Sequence, residues 1–356
     1  MKTTTQKAIR SVYGLCLVML VYACTNKTAD PLSPFTTEAL TKQLKELKLP
    51  TLRLTAPNPV VTTSAAISPS SQATSLYTAI AQNPSAPVVS QAITDMNTAL
   101  AATSNTAADI NSSFTPQVLN NLAAGGQLPS ALQTKVDALV AQASLQGYLP
   151  TATYPTINGQ TVSPTTTSVV GPTPITSFVK AVVIAPINYS GDPCFKAAND
   201  LFDQTIQGLD ASLTSQIDQI NSVYATEKSS AESDRPSCVS SQVSQYTTLI
   251  LSAGQGLTTN LNNLNAAQAT IGAPGTATLK ALIYVLYSYQ IQLYYKVQTA
   301  EINTCSIKTD IRLAEAKLAR DTDLNAANTG FNTTVITGQG LVLQLYDSCH
   351  NQGSAQ

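Results

Sequence analysis

Residues 282–318 constrain the fold more than any other stretch of this chain. Leu286, Gln290, Leu293, Val297, Ala300, Thr304, Ile307, Ile311, Ala314 and Leu318 recur at alternating spacings of four and three. That rhythm lays one seam of side chains along a single helix face, as in a coiled coil or a long bundle. No Gly or Pro interrupts the run, so the simplest account is one long helix. Such a helix cannot bury its seam alone and needs helical partners.

The partners are legible on either side. Asp192 can cap and Pro193 suits the first helical position. From there Phe202, Ile206, Leu209, Leu213, Ile217, Ile220 and Tyr224 give helix A an apolar face to about residue 233. Pro236 then marks the start of helix B, with Val239, Tyr246, Ile250, Leu257 and Leu264 on its seam. Gly272-Ala273-Pro274-Gly275 breaks the chain before helix C, which is the opening stretch and is expected to span about 276–325. After 327–330, Phe331, Val335, Val342, Leu345 and Cys349 mark helix D, weakened by Gly338 and Gly340 at about 1 kcal/mol each relative to Ala. The expected fold is all-α: an elongated antiparallel bundle of long helices, with a smaller N-terminal helical region and a short β-hairpin.

Ahead of the bundle, Leu40, Leu44 and Leu47 share one face of a short helix that Thr37 can cap. Lys42, Lys45 and Lys48 on the same helix read as a solvated face. Residues 51–71 read as an extended linker rich in Pro and Thr. Residues 72–148 carry several shorter helices, two of them clear at 88–102 and 130–147. Asn158-Gly159 is a two-residue hairpin turn between 154–157 and 160–162. The apolar run at 175–187 fits a buried strand or a short buried helix equally well. The domain plan is therefore 1–23, 24–71, 72–148, a Thr- and Pro-rich connector at 149–191, the bundle at 192–350 and a tail at 351–356.

The N-terminus supplies an address. Lys2, Lys7 and Arg10 precede a short apolar run at 11–23, too short for a comfortable membrane span. It ends Val21-Tyr22-Ala23-Cys24, which resembles the lipobox of bacterial lipoprotein signal peptides. The resemblance implies cleavage before Cys24 and acylation of its thiol, which anchors the chain to a membrane. Tyr22 is bulkier than the usual residue of that motif. Thr25 follows the anchor in place of the Asp associated with inner-membrane retention, so the outer membrane is the favoured address.

Cys194, Cys238, Cys305 and Cys349 remain in the mature chain, an even number that favours two disulfides in an exported protein. Their spacing contains no C-x-x-C pair, so zinc is not expected. Cys238 and Cys305 lie at nearly the same level on either side of the turn near residue 273, within about 5 Å at 1.5 Å per residue. A Cys194–Cys238 bond would span roughly 60 Å along a straight helix A and is excluded. Cys194–Cys349 follows by elimination, with Cys305–Cys349 its main competitor.

Only 11% of residues are charged, and the formal net charge is −1, so no basic footprint points to nucleic acid. Ser177-Phe178-Val179-Lys180 spells S-x-x-K, but the partner motifs of serine β-lactamases are absent. Asp321-Thr322-Asp323-Leu324-Asn325 imitates a calcium loop, yet Ala326 stands at the required Gly and Asn332 at the bidentate Glu. It reads better as a helix end with solvated carboxylates. His350, the one histidine, has no recognisable triad. No catalytic residue, metal or cofactor is expected.

Tyr284, Tyr287, Tyr289, Tyr294 and Tyr295 are the most distinctive cluster, and they do not share one helix face. They fit core and rim packing, or an aromatic contact surface for a protein, glycan or lipid-headgroup partner. The function expected is a non-catalytic envelope lipoprotein acting as a helical scaffold or binding protein. The alternative is a membrane-active helical protein, similar in architecture to long-helix pore-forming toxins, with 175–187 as its apolar head.

Overall fold

The computed structural model describes residues 37–173 and 193–351. The expected signal segment, Cys24, the S-x-x-K motif, the apolar run at 175–187, the expected cap at Asp192 and the His350 side chain lie outside the described residues. In chain order the elements are α1 (Thr37–Lys45), β1 (Thr62–Thr63), β2 (Ala66–Ser68), α2 (Ser71–Gln82), α3 (Pro87–Ala102), α4 (Ala107–Ser113), α5 (Pro116–Ala123), α6 (Ser130–Val140) and α7 (Ala143–Gln146). They continue with β3 (Thr151–Thr153), β4 (Thr156–Ile157), β5 (Gln160–Thr161), α8 (Pro193–Ala266), α9 (Gln268–Ile271) and α10 (Ala273–Asn351). The fold is all-α in class, and α8 and α10 pack together as an antiparallel pair.

The break expected at Pro236 is absent. Helices A and B are one helix of 74 residues with Pro236 in its interior. A proline there removes one backbone hydrogen bond and crowds the preceding turn, at about 3 kcal/mol. Contacts to α10 crowd the same two turns. Arg312 reaches Asp234 at 2.6 Å and Ser230 at 3.2 Å, Ala231 is buried, and Cys238 is bonded to Cys305. Tertiary fastening outweighs the local penalty.

Helices C and D are likewise one helix of 79 residues. Ala327, Phe331 and Val335 keep the buried stripe going through the expected break. Two glycines that look like helix breakers are sites of close approach. A Cβ on Gly330 would meet Pro50 at 3.1 Å, and one on Gly338 would meet Leu47 at 3.2 Å. Because the helix does not end near 325, Asp321 and Asp323 are buried acceptors and not solvated carboxylates. Burial alone would push the Asp321 carboxyl up. Hydrogen bonds and charge from Lys317 and Arg320 outweigh it and hold the group below the usual carboxylate range.

Both disulfides join α8 to α10: Cys194–Cys349 and Cys238–Cys305, each with Cα atoms 5.8 Å apart. With nearly equal helices, both pairs are level about one turn, and the competitor Cys305–Cys349 is excluded.

The chain divides into two compact units, and α8 and α10 contribute to each. Unit 1 takes Met1–Pro50, Lys180–Leu213 and Thr329–Gln356. Here Leu40 and Leu44 of α1 pack on Phe195, Phe202 and Val342, as the leucine spacing predicts, and Leu47 joins them from the segment after α1, which ends at Lys45. Unit 2 takes Thr51–Val179 and Thr214–Asn328. One core joins α2–α7 to the seams of α8 and α10, so the short helices do not form a core of their own. The hairpin forms as expected: β4 pairs antiparallel with β5 through Asn158 (φ 48°) and Gly159 (φ 79°), the paired left-handed geometry that Asn-Gly supplies.

The expected linker is more than a spacer. Its β1 pairs with β4 and its β2 with β3. Three carboxylates of α10 fasten it. Thr55 donates its N–H and hydroxyl to Asp323, Asn58 donates to Glu315, and the Ala65 N–H donates to Glu301. The geometry closes: Thr55 to Ala65 spans roughly 33 Å if extended, and Asp323 to Glu301 spans roughly 33 Å along a helix. The strap therefore runs fully extended and antiparallel to α10.

Non-reducing peptide mapping should recover the Cys194–Cys349 and Cys238–Cys305 peptides; a Cys305–Cys349 peptide would contradict this register. Replacing both Cys238 and Cys305 with Ser should lower unfolding free energy by about 2–4 kcal/mol. Asp323→Ala leaves the Thr55 donors without their acceptor and should cost about 1–3 kcal/mol. It should also speed proteolysis within 51–61, and a strap as resistant as wild type would count against the carboxylate fastening.

Candidate functional site

The tyrosines of α10 could not share a face because this helix is covered on nearly every side. Residues 281–288 are all buried, with α8 against one side and the short helices of unit 2 against the other. A helix apolar all round is a buried helix. Tyr284 stacks on Phe114, the residue that follows α4, with ring centres 5.2 Å apart. The Tyr295 hydroxyl donates to the Ala123 carbonyl at the end of α5 at 2.8 Å. The Tyr294 hydroxyl accepts from Gln290 Nε2 at 2.6 Å. Tyr284, Tyr287 and Tyr294 are buried, whereas Tyr289 and Tyr295 are half-buried at the edge of the core. Burial pushes the phenols of Tyr284, Tyr287 and Tyr295 up. Packing thus accounts for much of the cluster, and no single aromatic face gathers all five rings.

Two hollows beside this stretch take up its remaining polar groups. The larger, about 770 Å³, lies among α5, α6 and α10 and includes Gln133, Asp137, Gln292, Tyr295 and Lys296. Its floor is an amide pair bridging α6 and α10. Gln292 Nε2 donates to Gln133 Oε1 at 2.9 Å, and Gln133 Nε2 donates to Asp137 at 2.8 Å. The smaller hollow, about 270 Å³, lies among α2, α8 and α10 and is lined by Tyr77, Tyr287 and Tyr294 with Ser252, Asn260 and Gln290. Tyr77 has no local sequence signal, since it sits on α2 between the buried positions Leu76 and Ile80. Only the packing of α2 against α8 brings it to the other tyrosines.

The cysteines expected as disulfides are all so engaged, so none of Cys194, Cys238, Cys305 and Cys349 offers a thiolate. No group of three or more His, Cys, Asp or Glu side chains among the described residues is placed to hold a metal ion. No helix among the described residues is long and apolar enough to cross a membrane.

Glu301 is the buried acid of this region, 5% exposed, with Ala65 N–H donating to it at 2.6 Å. Burial raises its pKa and outweighs that hydrogen bond. The nearby Tyr246 phenol is pushed up to about 12, by burial first and then by the Glu301 charge. The folded state therefore holds the Glu301 proton more tightly than the unfolded chain does. The resulting stability is full below the unfolded value near 4.3 and is lost as pH rises through the raised folded value. Glu301→Gln keeps an acceptor for Ala65 and removes the charge. The stability of wild type minus that of Glu301→Gln should fall between about pH 4 and neutrality. Urea melts across that range check it; a difference independent of pH, or rising with it, would contradict the assignment.

The chain matches no protein-family model, no curated protein and no solved structure.

Proposed function

We propose that this chain is a non-catalytic lipoprotein of the bacterial cell envelope, in which a disulfide-braced helical hairpin carries a binding region. The observation that supports this best is the pair of disulfides joining α8 and α10. Disulfides of this kind form and persist in oxidising compartments. The Val21-Tyr22-Ala23-Cys24 motif offers a route to that compartment and an anchor within it. Anchoring at Cys24 would leave residues 25–36, mostly polar in sequence, between the acyl group and α1. Thr25 after the anchor favours the outer membrane. The hollows beside the tyrosine stretch of α10 supply the means of binding.

The acyl chain is directly testable. Metabolic labelling with an alkyne-bearing palmitate analogue should mark the wild-type protein and place it in the outer-membrane fraction. Cys24→Ser should abolish labelling and release the protein from membranes. An unlabelled wild-type chain, or a label that survives Cys24→Ser, would refute the lipoprotein reading.

A further inference from the structure

We infer that Cys194–Cys349 is a thiol–disulfide exchange site, through which a protein dithiol opens unit 1 while Cys238–Cys305 stays closed. Export to an oxidising compartment is required for this; acylation of Cys24 is not.

The two bonds are not needed for the same task. Either alone holds α8 and α10 to one register, because a heptad slip moves one helix about 10 Å past the other and a disulfide tolerates Cα separations only up to about 7 Å. Cys238–Cys305 joins two helix interiors in unit 2, and Cys305 is 3% exposed. Cys194–Cys349 joins two helix ends in unit 1. Cys194 is the second residue of α8, and Cys349 stands two residues before the last of α10. Helix ends open at lower free energy than helix interiors do. The terminal bond is therefore the one that can break without loss of register.

Access and charge favour the same bond. A thiolate must reach a disulfide sulfur to attack it. Cys194 and Cys349 both line a hollow of about 600 Å³, together with Thr37, Thr41 and Lys45 of α1, and Cys194 is half-buried. The positive end of the α8 dipole stabilises a thiolate at Cys194, and Lys45 adds a cation to the same hollow. Asp200, the acid of that hollow, is paired with Lys196 at 2.6 Å. Cys349 lies at the negative end of α10, where a thiolate is disfavoured. Cys194 is thus the better leaving group.

The exchange runs in two steps. The thiolate of the reductant attacks Cys349 Sγ and forms a mixed disulfide, while the Cys194–Cys349 bond breaks and Cys194 departs with the electron pair as a thiolate. The second thiol of the reductant loses its proton and attacks the reductant sulfur of the mixed disulfide. Cys349 is released and takes up a proton. The reductant ends as a disulfide, and two electrons have passed to Cys194 and Cys349.

Opening bears on α1. Beside the bond, Phe195 packs against Tyr346 with ring centres 5.4 Å apart, and the Tyr346 hydroxyl donates to Asn199. Leu44 of α1 sits in the same small core with Phe195, Phe202 and Val342. Parting the two helix ends loosens the platform on which α1 rests.

The test uses the full chain exported as Cys24→Ser, so that both bonds form without a membrane anchor. Timed exposure to dithiothreitol, quenched with N-ethylmaleimide and mapped by mass spectrometry, should label Cys194 and Cys349 about tenfold faster than Cys238 and Cys305. Equal rates, or faster labelling of Cys238 and Cys305, would overturn the inference. Reduced thioredoxin, a protein dithiol, should open Cys194–Cys349 and leave Cys238–Cys305 intact; a chain that it leaves fully oxidised would count equally against it. After that reduction and capping, trypsin should cut after Lys42, Lys45 or Lys48 about tenfold faster than in the oxidised chain. Cleavage after Lys135 in unit 2 should be unchanged. An α1 as resistant as in the oxidised chain would refute the opening of unit 1. Because the chain is unacylated throughout, failure here leaves the anchorage reading to its own labelling test.

Discussion

Everything in this structure depends on the register between α8 and α10. Two long helices with repeating seams can pair in several registers, since sliding by one heptad restores the apolar match. Such a slip moves one helix about 10 Å past the other. A disulfide tolerates Cα separations only up to about 7 Å, and both bonds here sit at 5.8 Å. The interval from Cys194 to Cys238 equals that from Cys305 to Cys349. Equal intervals on antiparallel helices allow both bonds to form only when the helices run at the same pitch without a break. The covalent clamps and the continuity of the helices therefore imply one another, and the disulfides help carry α8 through Pro236.

Fixing that register also fixes what α10 can offer. Its seam faces α8, and its other sides between 281 and 288 receive the short helices of unit 2. The result is a helix wrapped by polar-surfaced neighbours, with tyrosines reaching outward to α4, α5 and α8. Rings that fill the gaps become packing, as Tyr284 does against Phe114. Tyr295 instead ties α10 to the end of α5 through its hydroxyl.

The seam on 282–318, the helical class, the hairpin turn at Asn158-Gly159 and the nested disulfides were all legible in the sequence. Each depends on a local period or on levels counted from one turn. The breaks at Pro236 and at 327–330 were misread for a physical reason. Local propensity disfavours a helix there, and only tertiary contacts that no local window contains reverse it. Asp321 and Asp323 were misread for the same reason, because a helix presumed to end leaves its carboxylates in water. Of the candidate site, the sequence offered the α10 tyrosines but not their directions. Tyr77 and Gln133 gave no signal, since each is brought to α10 from more than 150 residues away.

Scarcity of charge ties these points together. With 11% charged residues, this chain cannot rely on a broad ionic surface, and its carboxylates do structural work. Asp323, Glu315 and Glu301 fasten the strap, while Asp234 and Asp321 brace the helices through arginine and lysine. Each is placed on α8 or α10, where the clamped register holds it opposite its donor. The short-helix region, where Asp95, Asp109, Lys135 and Asp137 are the charged residues, has mainly hydroxyls and amides as its polar groups. Charge is therefore concentrated where the fold needs fixed fasteners and withdrawn from the hollow that Tyr77 and Tyr287 line.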